Sequence, residues 1–156
     1  MKIELERYDG NPIMLPGEAA WESQNVSNAG AEVYDGKVML LYRAEGFEAR
    51  GNGHTWPVTR IGLAVSENGY DITERRPDPI FDRDVDDIWH VNGCEDPRIT
   101  KIGDTYYIVY CGQNLYGHFG DRLCLATTRD FVTFEKHGVL MEELEQRTSG
   151  LLPGKI

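Results

Sequence analysis

Clustered basic residues, long apolar runs and paired cysteines are all absent or scarce in this sequence. Its 16 lysines and arginines are outnumbered by 26 acidic residues, for a net charge of −10, and no basic stretch stands out. Phosphate backbones demand clustered Lys and Arg, so no nucleic-acid partner is expected. No apolar run approaches the roughly 20 residues that cross a bilayer, so no membrane partner is expected either.

The cysteine count is low and odd. Cys94, Cys111 and Cys124 show no C-x-x-C spacing, and two of them lie in apolar, strand-like segments. This pattern favours buried free thiols in a reducing compartment and argues against a zinc site. The four histidines have no metal-ligand spacing, so no metal site is predicted. Residues 1–4 (MKIE) lack the apolar core of a signal peptide, and we expect a cytoplasmic location.

Turn-forming and strand-forming residues are abundant instead. The 156 residues include 17 glycines and 7 prolines, and 40% of the chain is hydrophobic. The length fits a single domain over residues 1–156. A weak internal repeat is visible. Residues 35–42 (DGKVMLLY) parallel 103–110 (GDTYYIVY), 68 positions later, and residues 60–66 (RIGLAVS) parallel 122–128 (RLCLATT), 62 positions later.

This repeat predicts an all-β fold. Units of about four short strands joined by tight turns are typical of β-propeller blades, so we expect a partial propeller of about two to three blades. The first unit would cover residues 28–81, the second 94–137, and a third would begin near Leu151. The same strands are also compatible with a β-sandwich, which is the alternative fold. A helical turn or two is conceivable only at residues 141–147.

The run of residues 93–99 (GCEDPRI) contains the most informative carboxylates. It precedes a strand predicted at residues 105–110. Pro97 fixes its own backbone and is expected to push Asp96 toward an extended conformation, with its side chain held in a defined direction. The alternative is a loop ion pair between Asp96 or Glu95 and Arg98. Because side chains alternate along a strand, Glu95 is expected to face away from Asp96 and to pair with Arg98.

Seven short motifs occur in an order that resembles one enzyme family. They are residues 11–13 (NPI), 28–31 (NAGA), 42–46 (YRAEG), 60–64 (RIGLA), 93–99 (GCEDPRI), 128–131 (TRDF) and 152–156 (LPGKI). The series resembles the N-terminal half of glycoside hydrolase family 130, which contains β-mannoside phosphorylases and some β-mannosidases built on a five-bladed propeller. The resemblance covers nearly the whole chain, although Gly154 stands where an acidic residue is common.

The resemblance implies specific roles. Asp96 would be the proton donor, acting through a sugar hydroxyl on the glycosidic oxygen, and Asn28 would contact the sugar. Arg43, Arg60 and Lys155 would bind inorganic phosphate, the co-substrate, with no metal or organic cofactor. The residues alone allow another interpretation of each. Arg43 and Arg60 would be exposed cations at strand ends, and Asn28 would be a turn residue whose side chain bonds its own backbone.

Aromatic residues give further candidates. Trp21, Trp56, Trp89, Tyr116 and Phe119 are candidates for sugar stacking or for packing between strands. His54 and the pair Trp56-Pro57 lie in a long loop expected over residues 44–59, which we expect to shape an acceptor subsite.

We therefore expect an inverting phosphorylase that transfers mannosyl units from an oligosaccharide β-mannoside to phosphate. The alternatives are a β-mannosidase of the same fold and a non-catalytic carbohydrate-binding half-propeller. The chain ends before the family's second half, so we expect either a fragment of a longer enzyme or association with a second chain, since two blades cannot close a ring and would leave unpaired strand edges.

Overall fold

The computed structural model describes residues 4, 6–50, 53–114 and 120–154, with Arg50 described by its backbone only. The all-β prediction is confirmed. These residues form eight strands and one 3-10 turn at Ala20–Glu22, and they include no α-helix. Residues 141–147 contain a single turn rather than the helical turn considered from the sequence. Within the described part of the chain, no helix has the length and apolar character needed to span a membrane.

The strands form two antiparallel four-stranded meanders within one sheet. The first contains β1 (Asn25–Tyr34), β2 (Lys37–Arg50), β3 (His54–Ser66) and β4 (Ile72–Arg75). The second contains β5 (Gly93–Ile102), β6 (Thr105–Gln113), β7 (Arg122–Thr128) and β8 (Phe134–Val139). A parallel pairing of Thr59 with Gly93 joins β3 to β5. The meanders match the two predicted repeat units, whereas residues 151–154 form no strand.

The turns of the two meanders repeat in detail. After β3, the Ser66 hydroxyl accepts from the Gly69 N–H, and the Asn68 carboxamide oxygen accepts from the N–H groups of residues 70 and 71. After β7, the Thr128 hydroxyl accepts from the Phe131 N–H, and the Asp130 carboxylate accepts from residues 132 and 133. These side chains replace the missing strand pairing at each reversal. The 62-residue sequence offset therefore corresponds to a structural repeat.

The main core lies between the facing sides of the two meanders. Its buried side chains come from both and include Leu41, Ile61, Ile108, Tyr110 and Phe131. A smaller cluster covers the other side of the first meander, where the chain before β1 packs on it. The prediction of buried free thiols is confirmed for all three cysteines. Burial raises the pKa of two of them, Cys94 and Cys124, to about 12.

One hairpin extends past the rest of the sheet, and the expectation of a loop over residues 44–59 is therefore wrong, because residues 44–50 pair with 54–60 as strands. Pairing of β1 with β2 ends at Asn25 opposite Glu45, whereas β2 and β3 stay paired as far as Arg50 opposite His54. We call residues 46–58 the arm. At its base, Gly46 lies under the 3-10 turn, and a Cβ there would come within 2.0 Å of the Ala20 carbonyl oxygen. The arm therefore starts where only glycine fits.

Candidate active site

The candidate site is built on two matching β-bulges. Pairing is irregular between Ser27 and Gly30 in β1 and between Glu95 and Arg98 in β5. Inside them, Asn28 and Asp96 have φ of 50° and 54°, a left-handed conformation that Asn and Asp tolerate better than most residues. The expectation of an extended Asp96 is therefore wrong, because the bulge overrides the preference set by Pro97. The two residues are 68 positions apart, the same offset as the sequence repeat.

The two bulges contact each other directly. The Asn28 side-chain amide donates to Asp96 Oδ1 at 2.9 Å. Arg98 Nη1 donates to the carbonyl oxygens of Asn28 at 3.1 Å and Pro97 at 2.8 Å. A Cβ on Gly30 would lie 2.7 Å from the Pro97 carbonyl oxygen, so the close approach of β1 and β5 requires glycine. Asp96 is thereby held at the junction with 14% of its side chain exposed.

Arg43 on β2 brings a cation to this junction. Its Nη1 lies 3.1 Å from Glu95 Oε2 and 3.5 Å from Asp96 Oδ1, and its Nη2 lies 3.6 Å from Glu45 Oε2. Its Nε is buried and has no hydrogen-bond acceptor among the described residues. A buried N–H without an acceptor costs about 1–3 kcal/mol. The structure thus brings three of the predicted residues together, namely Asn28, Arg43 and Asp96.

Glu95 is the buried anchor of the site. Its side chain is 0% exposed and is held by Arg43, by Gln113 Nε2 at 2.9 Å and by Arg147 Nη2. Gln113 in turn accepts from the Thr59 hydroxyl at 2.8 Å. The expected pairing of Glu95 with Arg98 is therefore wrong. Arg98 bonds backbone carbonyls, and the positive φ of Asp96 breaks the simple alternation on which that expectation rested.

Sequence reasoning missed three members of this network. Glu45 stood in a quoted motif, two residues after Arg43 and therefore on the same face of β2. Gln113 ends β6 opposite Gly93. Arg147 lies on an irregular segment, 52 residues after Glu95 in the chain. No local sequence pattern predicts that its side chain contacts Glu95. It also contacts Asp121, with Nε 3.3 Å from Oδ2.

Electrostatics favour the charged form of Arg147. Burial alone would lower the pKa of Arg147, but the hydrogen bond and charge of Glu95 and the charge of Asp121 outweigh it and raise the pKa above its ordinary value. Cys111 lies nearby, and burial together with the charges of Glu95 and Asp121 raises the pKa of its thiol. A thiolate nucleophile is therefore disfavoured at this position. Across the described residues, no three His, Cys, Asp or Glu side chains are grouped to hold a metal ion.

The remaining predicted residues lie elsewhere. Arg60 follows Thr59 on β3, so its side chain is on the opposite face of the sheet from Arg43. It is buried and pairs with Glu48 and with Asp82 Oδ1 at 2.6 Å from its Nε. Lys155, together with Tyr116 and Phe119, lies outside the described residues. Trp21 stacks on Tyr42, and Trp89 lies under the guanidinium of Arg122, so both pack against the chain itself.

The family profile and the curated relatives identify the family of this chain. The profile of glycoside hydrolase family 130, described as beta-1,4-mannooligosaccharide phosphorylase, matches residues 5–154. Two relatives from Thermoanaerobacter sp. (strain X514) are a 1,2-beta-oligomannan phosphorylase, 32% identical, and a beta-1,2-mannobiose phosphorylase, 34% identical. Each match covers 99% of this chain but only 51% and 52% of the relative. The chain thus spans about half the length of these curated relatives.

A solved structure agrees as well. A putative glycoside hydrolase from Parabacteroides distasonis is 32% identical and superimposes with a TM-score of 0.75, over 88% of this chain and 42% of that one. The profile match over nearly every residue and these relatives together show that the chain belongs to glycoside hydrolase family 130.

Proposed function

We propose that this chain is the acid-bearing half of an inverting phosphorylase that transfers a mannosyl unit from an oligosaccharide β-mannoside to inorganic phosphate. The two meanders would be two blades of a five-bladed propeller, folded as one domain over residues 1–156. Support comes from family membership and from the two relatives named as phosphorylases of β-1,2-linked mannosides. A cytoplasmic location stays a prediction.

Asp96 is the general acid of this proposal. Its proton passes, through a sugar hydroxyl, to the glycosidic oxygen as the bond from C1 to that oxygen breaks. A phosphate oxygen forms the new bond to C1 from the opposite side, which gives α-mannose 1-phosphate and the shortened sugar. Asp96 then regains a proton from solvent. The positive φ and the hydrogen bond from Asn28 fix the carboxyl group, and such fixed geometry lowers the cost of reaching the transition state.

Arg43 and Asn28 serve binding. The Arg43 side chain is 23% exposed beside Asp96, and a planar guanidinium suits binding of an oxyanion such as phosphate. Asn28 is exposed next to Asp96 and so can reach the sugar. Phosphate binding by Lys155 stays a prediction. The same holds for Arg60, whose pairs with Glu48 and Asp82 favour a role in holding β3.

The observation that carries the proposal is the acid held between two bulges beside Arg43. The test measures release of the leaving sugar from β-1,2-mannobiose with and without phosphate. We expect a phosphate-dependent rate that Asp96→Asn lowers by at least about 100-fold, the scale of general acid catalysis. Asp104→Asn, an exposed turn residue on the same meander, is the matched control and should retain the rate. An unchanged rate for Asp96→Asn would contradict the assignment.

Two alternatives keep support. A β-mannosidase would use water in place of phosphate, and the similar structure from Parabacteroides distasonis is described as a putative glycoside hydrolase. Release of free mannose at an equal rate without phosphate would identify that activity. A non-catalytic carbohydrate-binding half-propeller is favoured by the half-length match. Sugar binding that persists without turnover, and without change in Asp96→Asn, would identify that case.

The whole site needs a partner in this proposal, either the missing half or a second copy of the chain. Open propeller edges favour further strand pairing. The native mass decides between the states available to the chain alone. A species near 17.7 kDa means an open half, and a stable dimer means that two copies have combined.

A further inference from the structure

The arm carries an exposed apolar pair on the same face as the candidate site. Side chains alternate along paired strands, so Arg43, Glu45 and Phe47 share one face of β2. Across from them, Thr59 faces Glu45 and Pro57 faces Phe47. Thr59 is 4% exposed and bonded into the Glu95 network, whereas Phe47 is 49% exposed and Pro57 is also exposed. The face therefore continues from the buried site out to an open aromatic ring.

The order along β2 gives this face a direction. Asn28 lies in the bulge of β1, between the residues that pair with Arg43 and Leu41. Phe47 lies on the other side of Arg43, past the point where β1 ends. Successive side chains on one face of a strand are about 7 Å apart. Each step from Arg43 to Glu45 to Phe47 therefore moves about 7 Å along β2, away from the part that pairs with β1. A sugar chain with its reacting unit at Asn28 and Asp96 would place its leaving unit over Glu45 and Phe47.

We propose that Glu45, Phe47 and Pro57 form the platform that binds the leaving sugar unit of the β-mannoside, which rests on the proposed function. The ring of Phe47 packs against the apolar C–H face of a pyranose, and Pro57 extends that surface. The Glu45 carboxylate, 26% exposed and 3.6 Å from Arg43, accepts from the sugar hydroxyls. The platform sets which linkage and which leaving sugar the site accepts.

Register also excludes the neighbouring aromatic from this role. Trp56 faces Glu48 and His54 faces Arg50, both on the other side of the arm from Arg43. Of the three arm residues expected to shape an acceptor subsite, only Pro57 is on the Arg43 face. Trp56 is 54% exposed, close to the value for Phe47, and lies on the same hairpin. It is therefore a matched control that differs mainly in the face it occupies.

The test is an NMR titration in phosphate-free buffer with methyl β-mannoside and with β-1,2-mannobiose. We expect the wild type to bind the disaccharide more tightly than the monosaccharide. Phe47→Ala should lose about five- to tenfold in disaccharide affinity, the scale of one aromatic contact. Its affinity for methyl β-mannoside should not change. Phe47→Tyr should keep the disaccharide affinity because the ring remains, and Trp56→Ala should keep it because that side chain faces away.

The outcomes separate the platform from the proposed function. If both sugars bind and Phe47→Ala matches the wild type, or Trp56→Ala loses as much, the platform is wrong while the proposed function stands. If the wild type, assembled with its missing half or a second copy, binds neither sugar, both are overturned. The unfolding midpoint of Phe47→Ala shows whether the variant is folded. If it is folded and loses affinity for both sugars equally, the assignment of Phe47 to the leaving unit is also overturned.

Discussion

Replacing the buried carboxylate of Glu95 by an amide tests the network that positions Arg43. Glu95→Gln keeps the shape of the side chain but removes its charge. The carboxylate is 0% exposed and accepts hydrogen bonds or ion pairs from Arg43, Gln113 and Arg147. A glutamine would turn its own N–H₂ toward one of these donors and would leave two arginines without their shared counterion. We expect a clear loss of stability.

The size of the loss follows from geometry and exposure. Unit charges 3.1 Å apart attract by about 5 kcal/mol at an effective dielectric constant of 20. Removing one partner of a buried pair costs about 3–5 kcal/mol. Arg43 and Arg147 have side chains 23% and 36% exposed, so solvent can hydrate them in part. We therefore expect a smaller loss of about 2–3 kcal/mol, at or just below the bottom of that range.

Urea unfolding and thermal melting measure this loss. A domain of this size shifts its melting temperature by about 2–4 °C per kcal/mol, so Glu95→Gln should melt about 5–10 °C below the wild type. Glu45→Gln is the control, since Glu45 is part-exposed and 3.6 Å from Arg43, and it should cost less than about 1 kcal/mol. A Glu95→Gln protein that melts within 2 °C of the wild type, or an equal loss of stability in Glu45→Gln, would show that Glu95 is not the counterion that holds the two arginines.

Two further predictions concern packing and pH. Gly46→Ala should destabilise by about 1–3 kcal/mol in urea because its Cβ would come within 2.0 Å of the Ala20 carbonyl oxygen, whereas Gly150→Ala, with open space around it, should not. Equal midpoints for the two variants would contradict this contact. Stability should also fall as the pH rises above about 9. Burial raises the pKa of Cys94 and Cys124 from 9.0 to about 12 in the folded protein, so the unfolded chain loses these protons at lower pH. Each thiol therefore lowers the free energy of unfolding by up to about 1.4 kcal/mol per pH unit as the pH rises. Replacing either cysteine by alanine should flatten the alkaline slope, and an unchanged slope would count against burial as its cause.

The strands of the fold could be predicted from the sequence because local signals specify them. The hairpin pairs at residues 35–36 and 103–104 have positive φ at Asp35, Gly36 and Gly103, as glycine and aspartate in such turns suggest. The repeat offset of 68 residues separates the two bulges at Asn28 and Asp96. The offset of 62 residues separates the two equivalent turns that follow β3 and β7. Turn residues together with the repeat were enough to place these elements, but not the arm, where a loop was expected over residues 44–59.

The site could be predicted only in part because long-range contacts decide it. The meeting of Asn28 with Asp96 depends on two bulges, and a bulge leaves no reliable trace in a pattern of alternating side chains. The predicted pairing of Glu95 with Arg98 was wrong for the same reason. Arg147 reaches the site from a segment without regular structure. The face of the arm that carries Phe47 follows only from the register of β2 on β3, which depends on where the turn closes.

The most direct test of the proposed function is the configuration of the product, read by phosphorus and proton NMR as the chain, assembled with its missing half or a second copy, acts on β-1,2-mannobiose and inorganic phosphate. We expect α-mannose 1-phosphate from the wild type and none from Asp96→Asn. Formation of the β-anomer, product from Asp96→Asn at the wild-type rate, or cleavage to free mannose that does not need phosphate would contradict it.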